Sequence, residues 1–226
     1  MSIAGGPDIV ENGLVLHLDA ADSNSYTGSG TLWTDLSGNG YNGTLTNGPT
    51  YSSSNKGIIV TDGTNDYINL GNVLNVGTSS FTLECVAKKV NTGEANKTSR
   101  IATKGSYLQN NWTFYFGTYS YITTIGFFWG NPWSGFSYTV NDGQWYHAVI
   151  TRDASNTITL YINGVSVSSM VAAVNFTGSE NYTLCANPGG TENFTGSLGF
   201  WRHYNRALSA TEILQNYNAT KGRYGL

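Results

Sequence analysis

A chain of 226 residues lies within the range that all-β sandwiches reach as a single domain, here residues 1–226. Its composition, 39% hydrophobic and 13% aromatic with 28 glycines, supplies a sizeable core and many tight turns. A net charge of -3, with no run of like charge longer than the pair Lys88-Lys89, excludes a polyanion groove and so nucleic acid as a partner. The first twenty residues hold neither a basic leader nor an unbroken apolar stretch, so no secretory signal and no membrane association are expected, and synthesis in a host cytoplasm is.

Short apolar or alternating runs recur along the chain between Gly, Asn and Pro: LVLHLD (14–19), GIIVTD (57–62), DYINL (66–70), SFTLECVAK (80–88), WTFYFG (112–117), ITTIGFFW (122–129), QWYHAVITR (144–152), TITLYING (157–164) and SLGFWRHY (197–204). Runs of this length and spacing predict a sandwich or barrel. The segment from Ser23 to Tyr51 reads as long loops with brief strands around Trp33 and Thr44. In QWYHAVITR both alternating faces carry bulk, as expected of an inner strand. Ile158, Leu160 and Ile162 alternate with polar residues up to Asn163-Gly164, a pair suited to the positive φ angles of a type I′ hairpin turn. At the C-terminus the pattern changes period. Ser209 and Glu212 form a capping box, Leu208 and Ile213 occupy the staple positions, and Ile213, Leu214 and Tyr217 make an apolar stripe, which together predict one short helix ending near Gly222.

The residues that carry chemistry are sparse. Cys85 and Cys185 lie inside strand-like runs without His or Cys at metal spacing and read as buried free thiols. In LSGNGYNGT, Asp35 is placed to accept backbone N–H bonds and hold a tight loop. Asp62 and Asp66 flank another turn; a structural role outranks a metal role for them, and they are the weak calcium candidates of a chain for which no metal site or other cofactor is predicted. No strand pairs two acids at the spacing that glycoside hydrolysis needs, since Glu84 stands alone in its run. His17, His147 and His203 each sit on a strand-like run with no nucleophile motif, and no catalytic residue is assigned. Binding is the better prospect. Between Asn111 and Tyr138 the chain is dense in aromatics, of which alternation sends Trp112, Phe114 and Phe116 to one face; Trp129, Trp133 and Phe136 are the candidates for stacking on a ligand.

Several motifs in order, GLVLHLDA, WTDLSGNGYNGTLTNGP, DGTNDYI, SFTLE, DGQWYHAVITRD, TLYINGV and FTGSLGFWRHYNRALSATEILQNYNATKGRYGL, span nearly the whole chain. Together they resemble the laminin-G-like, concanavalin A-like lectin/glucanase superfamily in the form common among phage and other microbial surface proteins. The chain departs from that pattern at LECVAKK and TLCANPGG. The resemblance implies an all-β, concanavalin A-like jelly-roll sandwich of two antiparallel sheets with one short C-terminal helix. It further implies a non-catalytic virion structural protein, a capsid decoration or tail-associated protein whose partners are capsid or tail proteins of the same particle. The alternative is a carbohydrate-binding adhesin that grips cell-surface glycan; a glycoside hydrolase ranks below both. With 15 Tyr and 6 Trp but only 11% charged residues, the surface is expected to use apolar anchors in a homo-oligomer, with a trimer as the leading stoichiometry.

Overall fold

The computed structural model describes residues 8–90, 98–105, 111–130 and 134–226. Along the chain its strands are β1 (Leu14–Asp19), β2 (Leu32–Trp33), β3 (Gly43–Thr46), β4 (Thr50–Ser52), β5 (Ile58–Asp62), β6 (Tyr67–Gly71), β7 (Phe81–Lys89) and β8 (Arg100–Lys104). They continue as β9 (Trp112–Tyr119), β10 (Ile122–Trp129), β11 (Ser134–Thr139), β12 (Trp145–Arg152), β13 (Thr157–Ile162), β14 (Val165–Val171), β15 (Tyr182–Leu184) and β16 (Thr195–Tyr204), followed by the helix α1 (Ala210–Tyr224).

These strands form two sheets, antiparallel throughout the described residues. One has the order β14-β13-β12-β7-β16-β5-β4, with β1 paired along the second half of β16; the other has the order β11-β10-β9-β8-β15-β6-β3-β2. Alternation places one side of each strand in the space between the sheets, where Leu16, Phe81, Leu83, Ile150, Phe114, Phe127, Leu184 and Trp201 belong to one continuous apolar cluster. Asn163 and Gly164 close the β13–β14 hairpin with φ of 51° and 80°, the left-handed pair that a type I′ turn requires. Cys85 and Cys185 are free and buried.

Helix α1 starts where the capping box predicts: Ser209 Oγ accepts from the Glu212 amide, and Glu212 Oε2 accepts from the Ser209 amide at 2.8 Å. It runs past Gly222, however, and stops at Gly225, which is left-handed at φ 70°. The extra turn is held by Arg223, whose Nη1 donates to Asp19 Oδ1 at 2.7 Å and whose Nε donates to the Asn55 carbonyl at 2.8 Å. Tyr224 adds apolar packing against Ile58, Val86 and Phe200. The buried stripe is Ile213, Asn216, Thr220 and Tyr224, while Leu214, part of the expected apolar stripe, is 46% exposed.

Asn216 faces inward because a carboxylate lies beneath the helix. Glu84, at the middle of β7 on the outer face of its sheet, is fully buried. His147 Nε2 on β12 donates to its Oε1 at 2.8 Å, Arg202 Nη1 on β16 donates to the same atom at 3.1 Å, and Asn216 Nδ2 donates to Oε2 at 2.8 Å. Asn216 Oδ1 in turn accepts from the Val10 amide at 2.8 Å, so the amide side chain is used at both ends. Apolar groups seal the cluster on both sides: Val149, Leu208 and Ile213 on one, Val86, Phe200 and Tyr224 on the other. Burial pushes the Glu84 pKa up, but the Arg202 charge and the hydrogen bonds from His147 and Asn216 outweigh it and hold the carboxyl down at about 2. Replacing Glu84 by Gln keeps the shape and removes the counter-charge of a buried guanidinium, so urea unfolding of Glu84→Gln is expected to show a loss of about 3–5 kcal/mol. An unchanged midpoint would mean that the charge contributes nothing to helix docking.

Candidate functional site

The aromatic segment is mainly core. Strands β9 and β10 pair so that Trp112 faces Trp129, Phe114 faces Phe127 and Phe116 faces Ile125, all turned toward the opposite sheet. Trp129, expected from the sequence as a stacking residue, is only 8% exposed, and its ring centroid lies 6.0 Å from that of Phe127. Alternation from Phe127 puts it on the inner side, where its ring fills the sandwich instead of facing solvent. Phe136 lies on β11 opposite Phe127, half-buried against the same core. Trp133 lies outside the described residues.

The two calcium candidates serve the turn between β5 and β6. Asp62 Oδ1 accepts from the Thr64 amide at 2.7 Å, and Asp66 Oδ2 accepts from the Asp62 amide at 3.0 Å. Burial raises the Asp66 pKa, which disfavours the charged form that a cation would need. Among the described residues no three His, Cys, Asp or Glu side chains gather as metal ligands.

A cleft opens instead at one end of the sandwich, beside the segment 72–80 that carries the chain from β6 in one sheet to β7 in the other; its volume is about 390 Å³. One wall is built by Val15 with Asn39 and Tyr41 of the β2–β3 loop, the other by Leu74, Asn75 and Val76 with Ser79 and Ser80. His203, near the end of β16, forms the floor, and Asn205 stands at the rim.

The first wall is fixed by Asp35. Its Oδ1 accepts from the His17 and Ser37 amides, each at 2.9 Å, and its Oδ2 accepts from the Tyr41 amide at 3.1 Å, which ties the loop to β1. Gly38 and Gly40, at φ 85° and 77°, allow the tight path between these bonds. Asn39 Nδ2 then donates to the Val15 carbonyl at 3.1 Å. In the second wall Leu74 is held at φ 55°, a conformation that non-glycine residues seldom adopt and that is often found where a ligand site is shaped.

The floor is unusual for its polarity. His203 is 1% exposed and packs against Phe81 and Tyr182, with ring centroids 6.3 and 6.0 Å away, and its Nδ1 has no hydrogen-bond partner within the protein. Burial drives its pKa down to about 3, so at neutral pH the ring is an uncharged imidazole with one donor and one acceptor nitrogen. Among the described residues, no Asp, Glu, Lys or Arg lines the cleft. The arrangement suits binding through neutral hydrogen bonds and apolar contact. Sequence reading missed the cleft because amides, serines and a buried histidine form no motif. The only signal was the Asp35 loop.

Comparison with known proteins agrees with the architecture. No curated protein sequence matches the chain. Among solved structures, the binding domain of Paraclostridial Mosquitocidal Protein 1 superposes with a TM-score of 0.68 at 17% identity, over 92% of this chain and 52% of that one. The Botulinum neurotoxin serotype G binding domain gives 0.66 at 14% identity, over 90% and 50%. The chain thus spans about half the length of these toxin domains. Domain 4 of AbnA, a GH43 extracellular arabinanase from Geobacillus stearothermophilus solved in complex with arabinotriose, gives 0.67 at 19% identity, over 92% of this chain and 100% of that one. At such identities the likeness concerns the fold. A family model described as the concanavalin A-like lectin/glucanases superfamily matches residues 62–214, which cover β6 to β16 and the first turn of α1. With more than half of its length matched and with two antiparallel sheets closed by a C-terminal helix, the chain belongs to the concanavalin A-like lectin/glucanases superfamily.

Proposed function

We propose that the chain is a non-catalytic carbohydrate-binding module carried on the surface of a phage particle, as a capsid decoration or tail-associated protein. The observation that carries the binding reading is the cleft at the His203 end, walled by amide, hydroxyl and apolar groups with no carboxylate among the described residues. A sugar is recognised by such a mixture, its hydroxyls matched by neutral donors and acceptors and its C–H faces by apolar side chains. The arabinotriose complex of the arabinanase domain supports the same reading, since that domain shares this fold over its full length. Glycoside hydrolysis is disfavoured because two carboxyl groups must flank the scissile bond. Glu84 is sealed under α1, and Asp62 and Asp66 are engaged in a turn.

Attachment to a particle is supported by the open edges of the sandwich. The edge strands β11 and β14 lie alongside each other. On or near them Tyr121, Ile122, Tyr138, Val165 and Val171 are exposed, Tyr121 by 76% and Val171 by 71%. Apolar side chains beside unpaired strand edges suit contact with a lattice subunit or with further copies of the chain.

Three measurements test this reading. Immobilised oligosaccharides are expected to retain the purified chain, while arabinan and β-glucan incubated with it yield no reducing sugar above the blank; release of sugar would overturn the non-catalytic assignment. Light scattering is expected to give a mass near three times the 24.4 kDa of one chain, and a monomer at concentrations near those of a particle surface would sink the cyclic assembly. Mass spectrometry of purified phage particles is expected to find the chain as an abundant component, and its absence would remove the virion role.

A further inference from the structure

At the exit of β6 the chain meets a lysine that the sandwich has stripped of water. We propose that Lys104 and Asn72 form an intramolecular isopeptide bond, an amide between the lysine Nζ and the asparagine Cγ, which ties the exit of β6 to the end of β8 across β15.

The geometry of the pair carries this assignment. Lys104 is 2% exposed and stands opposite Trp112 of β9 and Tyr182 of β15, so its stem shares the face of two buried rings. Its Nζ donates to Asn72 Oδ1 at 2.7 Å and to the Glu180 carbonyl at 2.8 Å. Asn72 Cγ is one C=O bond beyond Oδ1, so amine and carboxamide carbon are at most about 3.9 Å apart, against about 3–3.5 Å for a pair poised to react.

The surroundings favour the nucleophilic form of the amine. Among the described residues no Asp or Glu oxygen comes within ion-pair distance of Nζ. An ammonium held there has no counter-charge, and its third N–H has no acceptor among the described residues. The two N–H groups of a neutral amine match the two acceptors and leave a lone pair over. Burial acts in the same direction and brings the Lys104 pKa down to about 8, which populates the unprotonated form just above neutral pH.

The step needs no oxidant or reductant. The Asn72 carboxamide turns about χ2 to present its carbon, and the Nζ lone pair attacks Cγ. The Nζ–Cγ bond forms, the Cγ–Nδ2 bond breaks, and Nδ2 leaves as ammonia with the proton that Nζ gives up. Asn72 is exposed, so the ammonia departs directly into solvent. The product is an uncharged amide whose N–H still faces the Glu180 carbonyl, and the cost of a buried, unpaired ammonium is gone. The bond joins residues 32 apart and fixes the start of the segment that carries Leu74, Asn75 and Val76 into one wall of the cleft.

The test is intact-mass spectrometry of the purified full chain, denatured after incubation in mildly alkaline buffer. The mass is expected below that of the sequence by one molecule of ammonia. Trypsin is expected to leave Lys104 uncut, in a branched peptide joined to the one that contains Asn72. Lys104→Arg keeps a charged donor but supplies no amine nucleophile, and Asn72→Ala removes the electrophile; each is expected at its full sequence mass with no branched peptide. Asn72 is exposed, so Asn72→Ala decides alone should Lys104→Arg fail to fold. A succinimide at an Asn-Gly pair also releases ammonia, but that loss would persist in both variants. A wild-type chain at full sequence mass, or an ammonia loss that Asn72→Ala retains, would overturn the inference.

Discussion

The buried carboxylate of Glu84 is the constraint around which the outer half of the molecule is arranged. An ionised carboxylate cannot be left under an apolar helix without partners, because removing it from water costs several kcal/mol. Its partners come from three other elements: His147 on β12, Arg202 on β16 and Asn216 on α1. Each strand is already paired with its neighbour, so the charge adds register across three central strands and a docking point for the helix. Purely apolar contacts would hold α1 as firmly but would tolerate rotation or a shift of one turn. A single amide bonded at both ends does not.

The same division between apolar filling and polar positioning recurs at the cleft. The interior between the sheets is closed by large rings, with Trp112 set edge-on to Tyr182 at 5.1 Å and Trp201 to Tyr182 at 6.1 Å. At the end where β16 leaves the core this packing reaches His203, and beyond it the chain supplies loops in place of rings. Asp35 then does for the β2–β3 loop what Glu84 does for the helix, gathering several donors on one carboxylate and fixing a wall that has no regular structure of its own. A loop without regular structure is fixed in this way by backbone amides gathered on one carboxylate.

Fold and site therefore divide the chain's resources differently. Many of the described aromatic residues are buried, including Trp129, which the density of rings in 111–138 suggested as a surface residue. The polar character of the cleft comes from small residues with no charge. Its solved neighbours, two toxin binding domains and an arabinanase domain, share the sandwich at 14–19% identity, so the scaffold survives replacement of most of its sequence.

Alternation of period two in runs such as TITLYING and QWYHAVITR, the Asn163-Gly164 turn and the Ser209–Glu212 capping box belong to the sequence by itself, because each depends on neighbours a few residues apart. The motifs in order also identified the superfamily, and Asp35 was legible as the holder of its loop. Short strands such as β8 and β11 were not legible, since their conformation is imposed by the strands they pair with. The polar stripe of α1 escaped an apolar pattern for the same reason: Asn216 faces inward only because Glu84, 132 residues earlier, lies beneath it. The cleft was decided entirely by tertiary structure. Val15, Asn39, Asn75 and His203 carry no shared motif and come together only when β1, two loops and β16 converge at one end of the sandwich, where the His203 ring is buried with its Nδ1 unpaired.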